Sequence, residues 1–478
     1  MCRRDDTSVV ALADDLSGAA EVAALLRLPS RLLLHPADLA VSGVPGECPV
    51  VDLDSRYLGD AAAAEAVRAA LAGAGAADGT PADGHRGAAG APADGPERPG
   101  AEPARSGAHE PGSRAFRAVN SLRGEGRTLW YKKCDSLLRG PVGAEAAAFA
   151  EGAGVVVIAT ALPAARRVVR GGTVLADGVP LHEHPAWRAE ERPAPRSVAE
   201  ALAPLPTADV PLDTVRQGPI ALAGRFREVA ALGRHPVCDA ETDTDLTVIA
   251  AAAALLGPDT RLLGSGGLAA ALGRRLGSPA PGPARHSPAP GPARHSPAPP
   301  VRSEPPLLVV AGSAEPGVVE QVARLVAAGA QHVALSPGLL AGPDPVALPE
   351  PAPGTVTVVS VDGSGGVRPG SARRIVAGLA RTVSALPGRP DLVLTGGETA
   401  RRVLDAIGVT TLWPAGEIHH GAVHSRTADG RSVVTRPGSF GGPDSFLRIA
   451  AALRPRLLSS PPPPASAATA PSQQGVTQ

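Results

Sequence analysis

Along most of this chain a short apolar run leads into a turn of small residues, and apolar positions at helical spacing follow. VVALADD runs into SGAAEVAALLRL near the amino terminus, and TLWYKKCD precedes the helical pattern GAEAAAFA. The unit returns as VVVIAT, as RLLGSGG before LAAALGRRL, as PLLVVAGS before a helix through Val318 to Leu325, and as DLVLTGGE before TARRVLDAI. Strands that alternate with helices in this way predict mostly parallel sheets covered by helices, an α/β fold. Ligands in such folds gather at the carboxyl ends of the strands, where these small polar turns lie.

Three stretches interrupt the pattern. From Ala72 to Ala115 the chain has no Leu, Ile, Val or Phe, so it cannot build a core and is expected to be a disordered insertion. Between Ser278 and Glu304 the motif PGPARHSPA occurs twice in succession, a stiff polyproline-leaning spacer that marks a domain boundary. The tail 459–478, with Pro461 to Pro464 and then small polar residues, reads as frayed. What remains predicts two α/β domains, 1–277 and 305–458. Aromatic residues make up 2% of the chain, so the cores must be built from Leu, Val and Ala, with less area buried per residue.

Charge narrows the partners. The 46 basic and 46 acidic residues balance, so no global field favours nucleic acid or an anionic membrane surface. The apolar run Val9 to Ala13 meets Asp14 and Asp15 at once and is too short for a secretory signal, and no stretch approaches the roughly 20 apolar residues that span a bilayer. Cys2, Cys48, Cys134 and Cys238 form no CxxC pair, which suits a reducing compartment, so a cytoplasmic protein acting on small molecules is expected. His420 and His424 stand four apart, but Gly421 breaks the helical context and no coordination set is complete beyond Glu417, so no metal site of the protein's own is expected there.

Candidate chemistry sits at the turns. Asp14 and Asp15 end the first predicted strand, where a carboxylate either caps the following helix or binds a substrate hydroxyl and takes its proton. Lys132 and Lys133 are the only lysines in the chain, and with Asp135, Ser136 and Arg139 they crowd a second strand-to-helix turn. Cations and a hydroxyl at a helix amino terminus suit an anion such as a carboxylate. Asp54 and Arg56 in DLDSR form a third strand-end pair, which reads equally as a loop salt bridge. Glycine turns at Gly264 to Gly267, Ala311 to Ser313, Thr395 to Thr399 and Pro437 to Phe446 let backbone N–H groups approach phosphates, and no Walker A lysine accompanies them. Phe440 and Phe446 lie in the last turn, as core or beside an adenine ring.

The ordered series ADDLSGA, KKCDSLLRG, DAETDTDL, GSGGLAAAL, VVAGSAEP, TGGETARRVL and PGSFGGPDSF closely resembles the four-carbon acid sugar kinase family. The resemblance implies an amino-terminal acid-sugar domain, a carboxyl-terminal nucleotide domain, an active site in the cleft between them, and phosphorylation of a hydroxyl of threonate, erythronate or a 3-oxo-tetronate by ATP with Mg2+. It implies catalytic roles for Asp14, Asp15 and Lys133, and substrate contacts from Arg56, Lys132, Asp135, Ser136 and Arg139. It places the nucleotide on Ser313, Gly396, Gly397, Glu398, Thr399, Gly438, Ser439, Phe440 and Gly441. A homodimer is compatible with the chain, whose sequence leaves the oligomeric state open. Leu16, Ser17 and Leu137 depart from the family's usual Phe, Thr and Thr. Two other functions stay open: an inactive nucleotide-binding protein of the same fold, and a kinase of another small hydroxy acid.

Overall fold

The computed structural model describes residues 8–41, 47–77, 128–187, 190, 192–276, 304–312, 316–363, 372–438 and 441–455. In the front half, strands β1 (Ser8–Ala13), β2 (Ser30–Leu33), β3 (Cys48–Asp52), β4 (Thr128–Lys133) and β5 (Val155–Ala159) are followed by a small antiparallel sheet of β6 (Arg167–Arg170), β7 (Thr173–Ala176) and β8 (Val179–Pro180). The strands β9 (Thr207–Val210), β10 (His235–Cys238) and β11 (Thr260–Gly264) complete the half, whose main strands run parallel in the order β2-β3-β1-β4-β11-β5-β10-β9. The covering helices are α1 (Leu16–Leu25), α2 (Asp60–Ala77), α3 (Val142–Ala150), α4 (Val198–Ala201), α5 (Leu212–Val215), α6 (Pro219–Ala231), α7 (Asp243–Ala253) and α8 (Gly266–Leu276).

The rear half repeats the plan. Its strands β12 (Leu307–Ala311), β13 (Gln331–Leu335), β14 (Val356–Val361) and β15 (Asp391–Thr395) are joined by the ribbon β16 (Thr411–His419), β17 (Ala422–Arg426) and β18 (Ser432–Arg436), in the order β13-β14-β12-β15-β18-β17-β16. Helices α9 (Pro316–Ala327), α10 (Pro337–Leu340), α11 (Ala372–Ser384), α12 (Gly397–Ala406) and α13 (Ser445–Leu453) cover it. The apolar runs behave as parallel strands covered on both faces must: β5, β12 and β15 are buried at every position.

The two sheets are continuous. The first residues of β16 pair antiparallel with β2, Thr411 opposite Leu33 and Leu412 opposite Leu32, before the strand turns to β17. One 15-stranded sheet therefore carries both halves, and the α/β expectation holds with a shared seam. Helix α2 continues through Ala77, past the expected start of the insertion at Ala72, because its alanines favour helix even where nothing apolar remains to bury. The rest of the 72–115 insertion, the spacer up to Ser303 and the tail 459–478 lie outside the described residues. No helix among the described residues is long and apolar enough to cross a membrane.

Small residues let elements approach closely where large side chains are scarce. A Cβ added at Gly273 of α8 would stand 2.0 Å from the Leu25 carbonyl oxygen at the end of α1. Alanine in place of a helical glycine ordinarily stabilises, but here it must push two helices apart. Gly273→Ala is expected to lower stability by about 1–3 kcal/mol in urea denaturation. A rise in stability would contradict this contact.

Candidate active site

Strand β1 delivers two neighbouring carboxylates with different surroundings. Asp15 is the N-cap of α1: its Oδ1 accepts from Gly18 N at 2.7 Å and its Oδ2 from Ser17 Oγ at 2.8 Å. Asp14 caps nothing. Its Oδ2 accepts from Arg56 Nε at 2.9 Å and Nη2 at 2.7 Å, while Oδ1 is buried and has no hydrogen-bond partner among the described residues. A buried carboxylate oxygen left unpaired is costly, and the cost is relieved when a ligand donor arrives. Burial alone would raise the Asp14 carboxyl, but Arg56, then Lys133 and Lys132, outweigh it and hold the group below the usual carboxylate range.

Arg56 is brought to both carboxylates by the turn after β3. Ser55 N and Arg56 N donate to the Asp14 carbonyl at 3.0 and 3.2 Å, and Arg56 Nη1 reaches Asp15 Oδ2 at 2.7 Å. Its Nη2 is also 3.6 Å from Asp135 Oδ1. Asp135 in turn accepts from Arg139 Nε at 2.7 Å and Nη2 at 2.9 Å. Gly140 lies against this contact in the left-handed region, φ 85°, and a Cβ there would stand 2.9 Å from the Arg56 carbonyl oxygen. Burial pushes the Asp135 carboxyl up, yet Arg139 and Arg56 prevail and hold it well below its usual range.

The two lysines part company because successive strand residues point to opposite faces. Lys133 Nζ donates to the Cys134 carbonyl at 2.8 Å and lies 3.6 Å from Glu21 Oε2. Burial opposes its charge, but Glu21 and Asp14 more than restore it, so it stays an ammonium. Lys132 Nζ instead donates to Glu145 Oε2 at 3.0 Å and to the Lys133 carbonyl at 2.9 Å. Both side chains of that pair are buried, and Ser55 Oγ donates to the other Glu145 oxygen. Lys132 is thus held in a buried pair that also supports Ser55, next to Arg56 in the turn after β3. Ser136 Oγ accepts from Arg167 Nη1.

The opposite wall comes from the rear half. Gly396, φ 91°, follows β15 and donates its N–H to the Arg436 carbonyl at 2.9 Å, and Gly397 opens α12. A Cβ at Gly397 would stand 2.6 Å from Asp15 Oδ2 and 3.1 Å from Ser17 Oγ. Only glycine allows the amino terminus of α12 to face the carboxylate end of β1 this closely. A Cβ at Gly312 would meet Thr399 Oγ1 at 2.2 Å, and one at Gly438 would lie 3.9 Å from the Gly396 Cα. Gly312, Gly396, Gly397, Thr399 and Gly438 therefore converge, with the positive end of α12 among them. Glu398 stands beside them, its carboxyl raised by burial against the pull of Arg402 and Arg373. Near Gly441, Arg436 donates to Ser445 Oγ at 2.6 Å and stacks 4.7 Å from the Phe446 ring centroid, so Phe446 is core. Ser313, Ser439 and Phe440 lie outside the described residues.

Residues that the motifs did not announce join the site. Glu21 lies six positions after Asp15 on α1, with Oε1 buried and unpartnered among the described residues. The GSGG turn belongs to this front side: a Cβ at Gly266 would fall 2.4 Å from Glu21 Oε1. Glu21 is the one acidic residue in the alanine-rich run of α1, a signal that sequence reading could have used. Glu145 and Arg167 carry no such signal.

Paired charges at the ends of β1 and β4 face the glycine turn that opens α12, and comparison with known proteins supplies the class of the protein. Residues 105–272 match the sugar-binding N-terminal domain family, and residues 308–446 the nucleotide-binding C-terminal domain family. Over 357 residues the chain is 34% identical to a D-threonate kinase of Cupriavidus necator, covering 70% of this chain and 81% of that protein. It is 40% identical over 151 residues to a D-threonate kinase of Salmonella typhimurium, covering 30% and 35% of the two chains. A solved structure described as a putative tRNA synthase from Salmonella typhimurium LT2 shares the fold, with a TM-score of 0.64 at 16% identity, covering 92% of this chain and 98% of that one. The chain belongs to the four-carbon acid sugar kinase family and is a phosphotransferase acting on a hydroxyl group.

Because Asp14 and Asp135 titrate below the 3.8 of an unperturbed aspartate, their contribution to stability is present above that value and lost as pH falls through the depressed folded values. Asp135→Asn is expected to cost about 3–5 kcal/mol at neutral pH and to flatten the loss of stability below pH 3.8. Urea titrations at stepped pH values check both, and an unchanged acid slope would contradict the assignment.

Proposed function

We propose that this enzyme transfers the γ-phosphoryl group of Mg-ATP to a hydroxyl of D-threonate or a close four-carbon analogue. The observation that carries the reading is the buried Asp14 Oδ1, which has no hydrogen-bond partner among the described residues, set within the charge cluster that the glycine turn of α12 faces. A substrate hydroxyl donating to that oxygen satisfies it, and the aspartate then orients the attacking oxygen and receives its proton. Asp14 takes this role, and Asp15 fixes the start of α1 and shares Arg56.

The charge pattern suits a sugar acid. Lys133 is a compact cation with donors beyond its Cys134 bond, which fits the substrate carboxylate or the transferring phosphate. Arg56 and Arg139 already hold Asp14, Asp15 and Asp135, so they fix the carboxylates in place. Glu21 Oε1 is a second buried acceptor for a hydroxyl of the same ligand. The D-threonate kinases among the relatives make D-threonate the acid to test first.

The residues present fit a nucleotide and its metal. Gly396 and Gly438 keep side-chain atoms clear of the amino terminus of α12, where the triphosphate would lie, while Gly312 and Gly397 let Thr399 and Asp15 pack close beside it. Mg2+ is usually held by one or two carboxylates together with phosphates, and Glu398, which forms no ion pair within 4 Å among the described residues, is the group that fits it. When bound, Mg2+ would neutralise charge on the phosphates.

An ADP-release assay on the purified full chain tests the reading. Release is expected to depend on D-threonate, and Asp14→Asn to lower kcat about 10²- to 10⁴-fold. Lys133→Ala is expected to raise KM for the acid. D-threonate turnover undiminished by Asp14→Asn, or nucleotide binding with no turnover of any four-carbon acid, would contradict it.

A further inference from the structure

The turn Asp52–Tyr57 belongs to the front half, yet the rear half holds it at several points. Asp52 is fully buried, and its Oδ2 accepts from Arg401 Nη1 at 3.0 Å while its Oδ1 accepts from Asp54 N at 3.0 Å. Asp54 sits in the left-handed region, φ 49°, and its carboxylate pairs with Arg402. Arg373 Nη2 donates to the Tyr57 carbonyl at 3.0 Å, with its guanidinium 5.9 Å from the Tyr57 ring centroid. Between these anchors lie Ser55, which donates to Glu145, and Arg56, which grips Asp14 and Asp15.

Arg401 and Arg402 stand on α12, whose first residue is Gly397. A ten-residue helix with its hydrogen bonds intact moves as one body, so a displacement at its amino terminus is carried to both arginines. Asp405, one turn on, braces them: Arg401 Nε reaches its Oδ1 at 3.0 Å and Arg402 Nη1 its Oδ2 at 3.3 Å. The Arg401–Asp52 pair is sealed, with side-chain exposures of 7% and 0%, whereas Arg402 and Asp54 are 41% and 26% exposed. The buried pair fixes the hinge point, and the outer pair is free to adjust.

We propose that α12 is a rigid link between the two ligands, through which a nucleotide at Gly396–Gly397 sets the Asp52–Arg56 turn, so that nucleotide and sugar acid bind cooperatively. Arg401 and Arg402 are its positioning residues. The inference rests on the reading of the α12 glycine turn as a phosphate site. It adds a thermodynamic coupling between sites, which by linkage is the same in both directions.

The test is calorimetric titration of the full chain with D-threonate, with and without saturating Mg-ADP. Wild type is expected to bind the acid at least about 5-fold more tightly when Mg-ADP is present. Arg402→Ala removes a partly exposed pair that contributes little to folding, and Asp54→Asn keeps a residue that tolerates the left-handed conformation. Each is expected to bring the coupling factor towards one, with the affinity for acid alone unchanged. The double variant loses no more coupling than Arg402→Ala alone, because the Asp54 carboxylate joins the link only through Arg402, and Arg402→Lys restores part of the factor. In steady state, Arg402→Ala raises KM for the acid at saturating ATP and preserves kcat. Wild type and Arg402→Ala with equal coupling factors, or a wild-type factor of one when both ligands bind, overturns the link. Failure of Mg-ADP to bind wild type refutes the phosphate site itself, and the link with it.

Discussion

The site depends on one guanidinium held among three carboxylates. Asp14, Asp15 and Asp135 converge at the ends of β1 and β4, and without Arg56 their mutual repulsion would drive them apart. Arg56 is reached by two of them at hydrogen-bond distance and by the third at 3.6 Å, and all three draw its own pKa up, against burial. Its planar fork is what permits this: a lysine could neutralise the cluster but could not bridge Asp14 and Asp15 with separate nitrogens in fixed geometry. Neighbouring features serve that contact. Gly140 leaves room for the Arg56 backbone, and Lys132, Glu145 and Ser55 support the turn from below.

A second constraint meets the first from the other half of the chain. Gly397 can lie against Asp15 only because it has no side chain, so the amino terminus of α12 and the capped amino terminus of α1 face the same carboxylate. Continuity of the sheet through β2 and β16 fixes the distance across which they meet. The buried Asp52–Arg401 pair lies at this junction. Burial pushes Asp52 up to about 7 despite Arg401, so the junction contains a carboxylate that titrates near neutrality and depends on its partner to stay charged. An intact buried pair of this kind adds little net stability, but removing one partner leaves an uncompensated buried charge and is strongly destabilising.

Much of this was legible in the chain. Apolar runs with small-residue turns gave the α/β layers, and Asp14, Arg56, Lys133, Asp135, Gly397 and Gly438 all stand at strand ends as the pattern predicts. The division of labour was not legible. Nothing in ADDLSGA says which aspartate caps α1, because the answer lies in the backbone at Asp15, φ −146°, and in which oxygen Arg56 leaves unpaired. Nor does the KK pair reveal that Lys132 turns to Glu145, a partner 13 positions away on α3. The β2–β16 seam escaped because only Thr411 and Leu412 make it, too few residues to register as a pattern. Arg402 was hidden for a similar reason, since it gains its meaning from a contact distant in sequence, whereas Glu21 left a trace as the one acid in the alanine-rich α1.

The most direct measurement is a crystal structure of the chain with D-threonate and Mg-ADP bound. The account predicts a substrate hydroxyl within about 2.6–3.2 Å of Asp14 Oδ1, an anionic group of the ligand against Lys133 Nζ, and the diphosphate along Gly396 and Gly397. An acid bound away from Asp14, or a nucleotide that leaves the α12 glycine turn uncovered, would contradict it.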